Sequence, residues 1–140
     1  MKSETLEDRL LKRIDRKRGD VFLRADFDDL GGYYQIGRAL RTLVIKGRLV
    51  RVGQGLYARA VPAPSDGRPI PNKGFRAMAA EALGRLGIET APTRLEQAYN
   101  AGRTTQVPSG RVVAVNKRVR RRICYDGIYV GFERAGSGPG

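Results

Sequence analysis

The 140-residue chain contains no histidine, no tryptophan and one cysteine, Cys124. Without histidine the commonest general base is missing, and only Asp, Glu, Lys or Tyr could take its place. One cysteine cannot close an internal disulfide, and with no histidine beside it no zinc-ligand set is available. Cys124 sits in an apolar-alternating stretch, which predicts a buried thiol rather than a reactive one. No apolar run approaches the roughly 20 residues of a membrane-spanning helix. The N-terminus is charged from Lys2 onward and carries no apolar signal region, so a cytoplasmic protein with no membrane partner is expected. No phosphate loop, dinucleotide fingerprint or nucleophile elbow is present. An enzyme is therefore the least supported class, and no cofactor or metal is expected. Asp26, Asp28 and Asp29 read as the polar face of a short helix rather than as a metal site.

Acidic residues are scarce: 14 against 27 basic ones, a net charge of +13. An excess of this size on a short chain repels itself unless a polyanion is near, and DNA, RNA or an anionic surface are the usual polyanions. Both halves share the excess, +6 over residues 1–62 and +7 over the rest. Hydrophobic residues make up 41% of the chain, enough for a packed core.

Leu6, Leu10, Leu11 and Ile14 recur at helical spacing, predicting a helix over 4–18 with Ser3 as its N-cap and Gly19 at its end. Val21-Phe22-Leu23 predicts a brief strand, and 25–30 a short acidic helix stopped by Gly31-Gly32. From Tyr33 to Lys46, Ile36, Ala39, Leu40, Leu43 and Val44 form one apolar stripe, and Gly47 fits the C-terminal cap. Residues 48–52 and 56–59 alternate as strands about a Gly53-Gln54-Gly55 turn. Helix, short strand, helix, helix, hairpin is the order of a winged helix-turn-helix. Residues 61–71 hold four of the seven prolines and read as a linker. Asn72 then reads as the cap of a helix through Phe75, Met78, Ala79, Ala82, Leu83 and Leu86. A shorter helix covers 94–100. Strands are expected at 104–107, 111–115, 122–125 and 128–132, with an Asp126-Gly127 hairpin turn. Residues 136–140 read as a disordered tail. The expected fold is α+β: a winged helix-turn-helix over 1–60, the linker 61–71, and a small helix-plus-antiparallel-strand domain over 72–135.

The exposed face of the helix from Tyr33 carries Tyr34, Gln35, Arg38, Arg41 and Thr42. Arg pairs bidentately with guanine and Gln with adenine in the major groove, so these are the candidate base readers. An arginine-bearing helix face can also be simply solvated. The basic hairpin directly after it favours DNA contact. Gly37 leaves that face without a side chain, which would let DNA come close to the backbone. Arg48, Arg51, Gln54 and Arg59 in the hairpin are candidate phosphate contacts, which add affinity and salt dependence rather than sequence choice. Lys117, Arg118, Arg120, Arg121 and Arg122 put five cations into six positions and also ask for an anionic partner. The polar residues between Tyr99 and Gln106 could line a surface beside that loop. The rival reading is an RNA- or protein-binding accessory module that works through this C-terminal loop.

Arg18 to Tyr33 (RGDVFLRADFDDLGGY), Ile36 to Leu43 (IGRALRTL) and Lys46 to Ala58 (KGRLVRVGQGLYA) together resemble the winged-helix part of AbiEi-type antitoxins of type IV toxin–antitoxin systems. Ala98 to Pro108 (AYNAGRTTQVP) is similar to the start of the strand region in short members of that family. The resemblance covers roughly residues 4–134. It implies a protein that binds and represses its own promoter and counters a nucleotidyltransferase-like toxin without a stable complex. It places Gln35, Arg38 and Arg41 at recognition-helix positions, and Arg51 with Gln54 on the wing. The C-terminal part is smaller than that family's full antitoxin domain. A homodimer on a repeated or palindromic operator fits this mode of binding.

Overall fold

The computed structural model describes residues 4–135. Helix α1 (Leu6–Arg16) begins at Thr5, whose hydroxyl accepts the Asp8 amide while the Asp8 carboxylate accepts the Thr5 amide. This reciprocal capping box takes the role expected of Ser3, which lies outside the described residues. Strand β1 (Val21–Leu23) follows, then a 3-10 helix over Arg24–Leu30, α2 (Tyr33–Ile45), β2 (Leu49–Gly53) and β3 (Leu56–Pro62). Gly47 ends α2 at φ 77°, a left-handed conformation that glycine adopts without strain.

Three strands form an antiparallel sheet in the order β1-β3-β2. Side chains alternate across it, and both faces are apolar. Phe22, Leu49 and Tyr57 join one buried cluster with Leu10 and Ile14 of α1, Phe27, and Ile36, Ala39, Leu40 and Leu43 of α2. Val21, Val50, Val52, Leu56 and Ala58 join a second cluster with Met78, Ala79, Ala82 and Leu83 of α3 (Phe75–Arg85), together with Val113, Val115, Ile123 and Val130. The sheet is thus a middle layer, with α1 and α2 on one face and the C-terminal half on the other.

This arrangement corrects the expected linker. β3 runs on to Pro62, and residues Pro69–Pro71 form β4, antiparallel to β3 with Ala60 opposite Pro71. Proline lacks an amide donor and is confined to sheet edges, and β4 is such an edge. Asn72 does not cap α3; Gly74 takes that position, and the Asn72 amide donates to Asp20 instead.

Beyond α3, β5 (Thr90–Ala91) pairs antiparallel with β6 (Val112–Val115), and α4 (Arg94–Asn100) carries a Thr93–Glu96 capping box. β7 (Cys124–Tyr125) and β8 (Ile128–Tyr129) form the expected hairpin, its turn built on Asp126 at φ 52° and Gly127 at φ 77°. Three expectations fail here. β6 pairs in parallel with β9 (Gly131–Arg134), so the C-terminal strands are not all antiparallel. Residues 104–107 are not a strand; most of their side chains are exposed, and no burial draws them into a ladder. Cys124 is half-buried, not fully buried as expected. The expected tail lies outside the described residues. Among those residues, no helix is long and apolar enough to cross a membrane.

A polar cluster ties the layers together. The Glu81 carboxylate of α3 accepts the amides of Asp20 and Val21 at 2.7 and 2.8 Å. Asp20 pairs with Arg59 at 2.9 Å and with Lys73 at 3.3 Å. Burial raises the Asp20 carboxyl pKa, but hydrogen bonds from Arg59, Asn72 and Lys73 outweigh it and hold the group below its ordinary value.

Candidate nucleic-acid interface

Helix α2 buries Ile36, Ala39, Leu40 and Leu43. That leaves Tyr34, Arg38, Arg41 and Ile45 exposed. Their offsets of four, three and four residues put them on one stripe of the helix. Tyr34 and Ile45 are each 78% exposed, so the stripe has apolar surface at both ends and two guanidinium groups between.

The hairpin β2–β3 stands beside this stripe. Its two strands lose register between Arg51 and Gly53, and the tip turns at Gln54-Gly55, with Gly55 at φ 68°. Arg51 lies opposite Tyr57, and its Nε donates to the Gly53 carbonyl at 3.3 Å.

A third element, the loop 120–122, packs over the hairpin. Arg121 Nη1 donates to the Gln54 carbonyl at 2.9 Å. At Gly53, an added Cβ would come within 2.9 Å of the Arg122 carbonyl oxygen, so the glycine is what allows the loop to lie against β2. The loop is anchored below by Ile123, fully buried in the core.

Between α2, the hairpin and this loop runs a groove of about 1020 Å³. Arg24, Arg38, Arg41, Arg51, Arg120, Arg121 and Arg122 line it, with Tyr33, Tyr34, Tyr57, Gln54, Val44 and two glycines, and no acidic residue. None of these seven arginines takes part in an ion pair among the described residues. Cations elsewhere do: Arg13 grips Asp29 with both terminal nitrogens, Arg85 and Lys17 meet Asp26, and Arg76 meets Glu96. Other cations outside the groove, among them Arg48, Lys117 and Arg118, are also exposed without an ion pair among the described residues. What sets the groove apart is that seven unpaired guanidinium groups converge there with no acidic residue among them. Like charges so arranged repel one another and attract an anion.

Several expected contacts lie elsewhere. Arg59 is not on the hairpin surface: its guanidinium turns under α1, pairs with Asp20 and donates to the carbonyls of Ile14, Lys17 and Gly19. It satisfies the free carbonyls at the helix C-terminus, a structural task. The Gln35 side-chain oxygen accepts the Gly32 amide at the start of α2, and the Thr42 hydroxyl donates back to the Arg38 carbonyl. Neither lines the groove. Arg48, Lys117 and Arg118 are exposed but outside it, and so are the polar residues between Tyr99 and Gln106. Asp26 and Asp29 are spent on ion pairs, and no cluster among the described residues could hold a metal ion.

One lining arginine is not legible in the sequence. Arg24 opens the 3-10 helix, and its guanidinium lies 4.0 Å from the centre of the Tyr33 ring. No local pattern marks it, because the groove that it enters is built by tertiary packing. Gly37 could have hinted at it: a glycine in mid-helix costs about 1 kcal/mol relative to alanine and usually answers a packing need.

Compared with known proteins, the chain matches no family model, no curated sequence and no solved structure.

Proposed function

We propose that this protein binds double-stranded DNA sequence-specifically, with the segment from α1 to β3 acting as a winged helix-turn-helix. In this reading the 3-10 helix and α2 are the helix-turn-helix pair, with Gly31-Gly32 as the turn. α2 enters the major groove, where Arg38 and Arg41 read base edges and Tyr34 and Ile45 meet thymine methyls or sugar. The β2–β3 hairpin is the wing. Arg51 and the loop 120–122 hold phosphates. The observation that carries the reading is the groove itself: seven arginines without ion-pair partners, on three elements that converge beside an exposed helix face. A polyanion of regular shape supplies what they lack.

The biological role proposed is transcriptional autorepression by a type IV antitoxin, with no catalytic activity and no stable complex with a toxin. Its support is the resemblance of residues 18–58 to the winged helix of AbiEi-type antitoxins. A homodimer on a two-fold operator is the assembly proposed.

The test is titration of a labelled duplex carrying the gene's own upstream region against a scrambled duplex, at two salt concentrations. Tighter binding to the native duplex that survives the higher salt is expected. Equal binding to both that collapses with salt would overturn base readout. Preference for structured RNA at matched salt would move the groove to the rival class.

A further inference from the structure

The Arg24 guanidinium has no polar partner among the described residues. It makes no hydrogen bond and no ion pair there, and its Nε is buried without a partner. A buried unpaired donor is costly, yet the guanidinium is held firmly in place. The Tyr33 ring lies on one side, in cation–π contact. The group also packs on the backbone of α2 at Gly37, where an added Cβ would fall 2.1 Å from an Arg24 Nη2 atom and 3.2 Å from Cζ. A side chain at position 37 would push the guanidinium out of this place. The Arg24 backbone amide is bonded in turn to the Gly55 carbonyl at the hairpin tip, at 3.1 Å. Arg24 is therefore fixed between α2 and the hairpin.

Arg121 approaches the same place from the other half of the chain. Arg24 and Arg121 together line both the main groove and a smaller hollow of about 280 Å³ beside it. Asp28 also lines the smaller hollow but pairs with neither arginine. Two guanidinium groups pre-positioned at one end of an anion-seeking groove suit a tetrahedral phosphate oxygen set.

We propose that Arg24 and Arg121 form a fixed subsite for one DNA backbone phosphate, and that residue 37 is glycine to seat Arg24. This rests on the duplex-binding reading and adds to it a defined phosphate anchor that joins the two halves of the chain. Arg24 is a positioning contact, indifferent to base sequence. Gly37 acts through Arg24, not by admitting DNA to the helix backbone.

The experiment measures duplex affinity, native and scrambled, at two salt concentrations for wild type, R24A, R121A, G37A and R24A/G37A, with thermal melts of each. R24A and R121A are expected to weaken both duplexes by the same factor, roughly tenfold, and to reduce the salt slope by about one. G37A is expected to bind as weakly as R24A while melting no lower than wild type, because alanine is the better helix residue. The double variant is expected to bind no more weakly than R24A. Unchanged affinity in R24A, with tight wild-type binding, overturns the subsite and leaves the DNA reading standing. So does a loss confined to the native duplex. A G37A loss that adds to that of R24A overturns the seating role. Failure of wild type to retain either duplex overturns both. The R24A and R121A arms decide the subsite even if G37A folds poorly.

Discussion

Arginine does two different jobs in this chain, and its neighbours decide which. Arg51 and Arg59 lie on the same face of the sheet, since they oppose Tyr57 and Leu49 in the ladder. Over Arg59 sits the end of α1, whose carbonyls and Asp20 use its donors. Over Arg51 is the open groove. Strand alternation made the shared face legible in the sequence. What covers each end of that face is a tertiary fact, and a local pattern cannot report it. The same holds for Gln35, whose spacing suits a base reader but whose side-chain oxygen caps its own helix. Arg38→Ala is expected to cost about 1–3 kcal/mol of affinity for the native operator and less for a scrambled duplex, as read by competition titration. Arg59→Ala is expected to leave duplex binding intact wherever the protein is folded. It should lower stability by about 1–3 kcal/mol, because the carbonyls of Ile14, Lys17 and Gly19 lose their donor and Asp20 keeps only Lys73 as counter-charge; chemical denaturation reads this.

Among elements, those with strong punctuation were legible. Gly31-Gly32 and Gly47 mark the ends of α2, Gly53-Gln54-Gly55 the β2–β3 hairpin and Asp126-Gly127 the β7–β8 hairpin, all from sequence alone. The proline-rich stretch reads as a linker because proline is excluded from helix interiors and central strands, whereas at a sheet edge its missing amide costs nothing. The parallel pairing of β6 with β9 was hidden because it joins strands separated by a loop and a hairpin, and periodicity carries no partner information. The Asp20 cluster joins β1, β3, α3 and the turn after β4, and its chemistry gives a pH dependence. Asp20 is held below its ordinary pKa in the folded protein. Its stabilising contribution is therefore complete above the unfolded value of about 3.9 and is lost as pH falls through the folded value. Thermal melts are expected to be flat in this respect near neutrality and to drop below about pH 4. Asp20→Asn should start less stable at neutral pH and show a shallower acid slope. Equal acid slopes in the two proteins would remove Asp20 from the account.

At the scale of the whole molecule, the two halves share a core. Val21, Leu23, Val50, Val52, Leu56 and Ala58 face α3 and the C-terminal strands, and the groove has walls from both halves. The three consecutive apolar residues of β1 are the sequence trace of this, since a strand buried on both faces loses its alternation. A chain ending at residue 62 would leave one face of the sheet bare. It is expected to aggregate or lose its cooperative melt, whereas independent folding of that fragment would contradict the shared core. In the proposed duplex-binding function, the unpaired groove arginines, and not the net charge of +13, make the DNA interface. The loop 117–122 offers its own control. Arg120→Ala/Arg122→Ala and Lys117→Ala/Arg118→Ala remove the same charge from neighbouring positions, the first pair from the groove wall and the second from outside it. Salt-dependent duplex titration of these two proteins is the most direct measurement. The groove pair is expected to lose affinity and to flatten the salt slope by about two, with the outer pair close to wild type. Equal losses in both would contradict the claim and leave only non-specific charge.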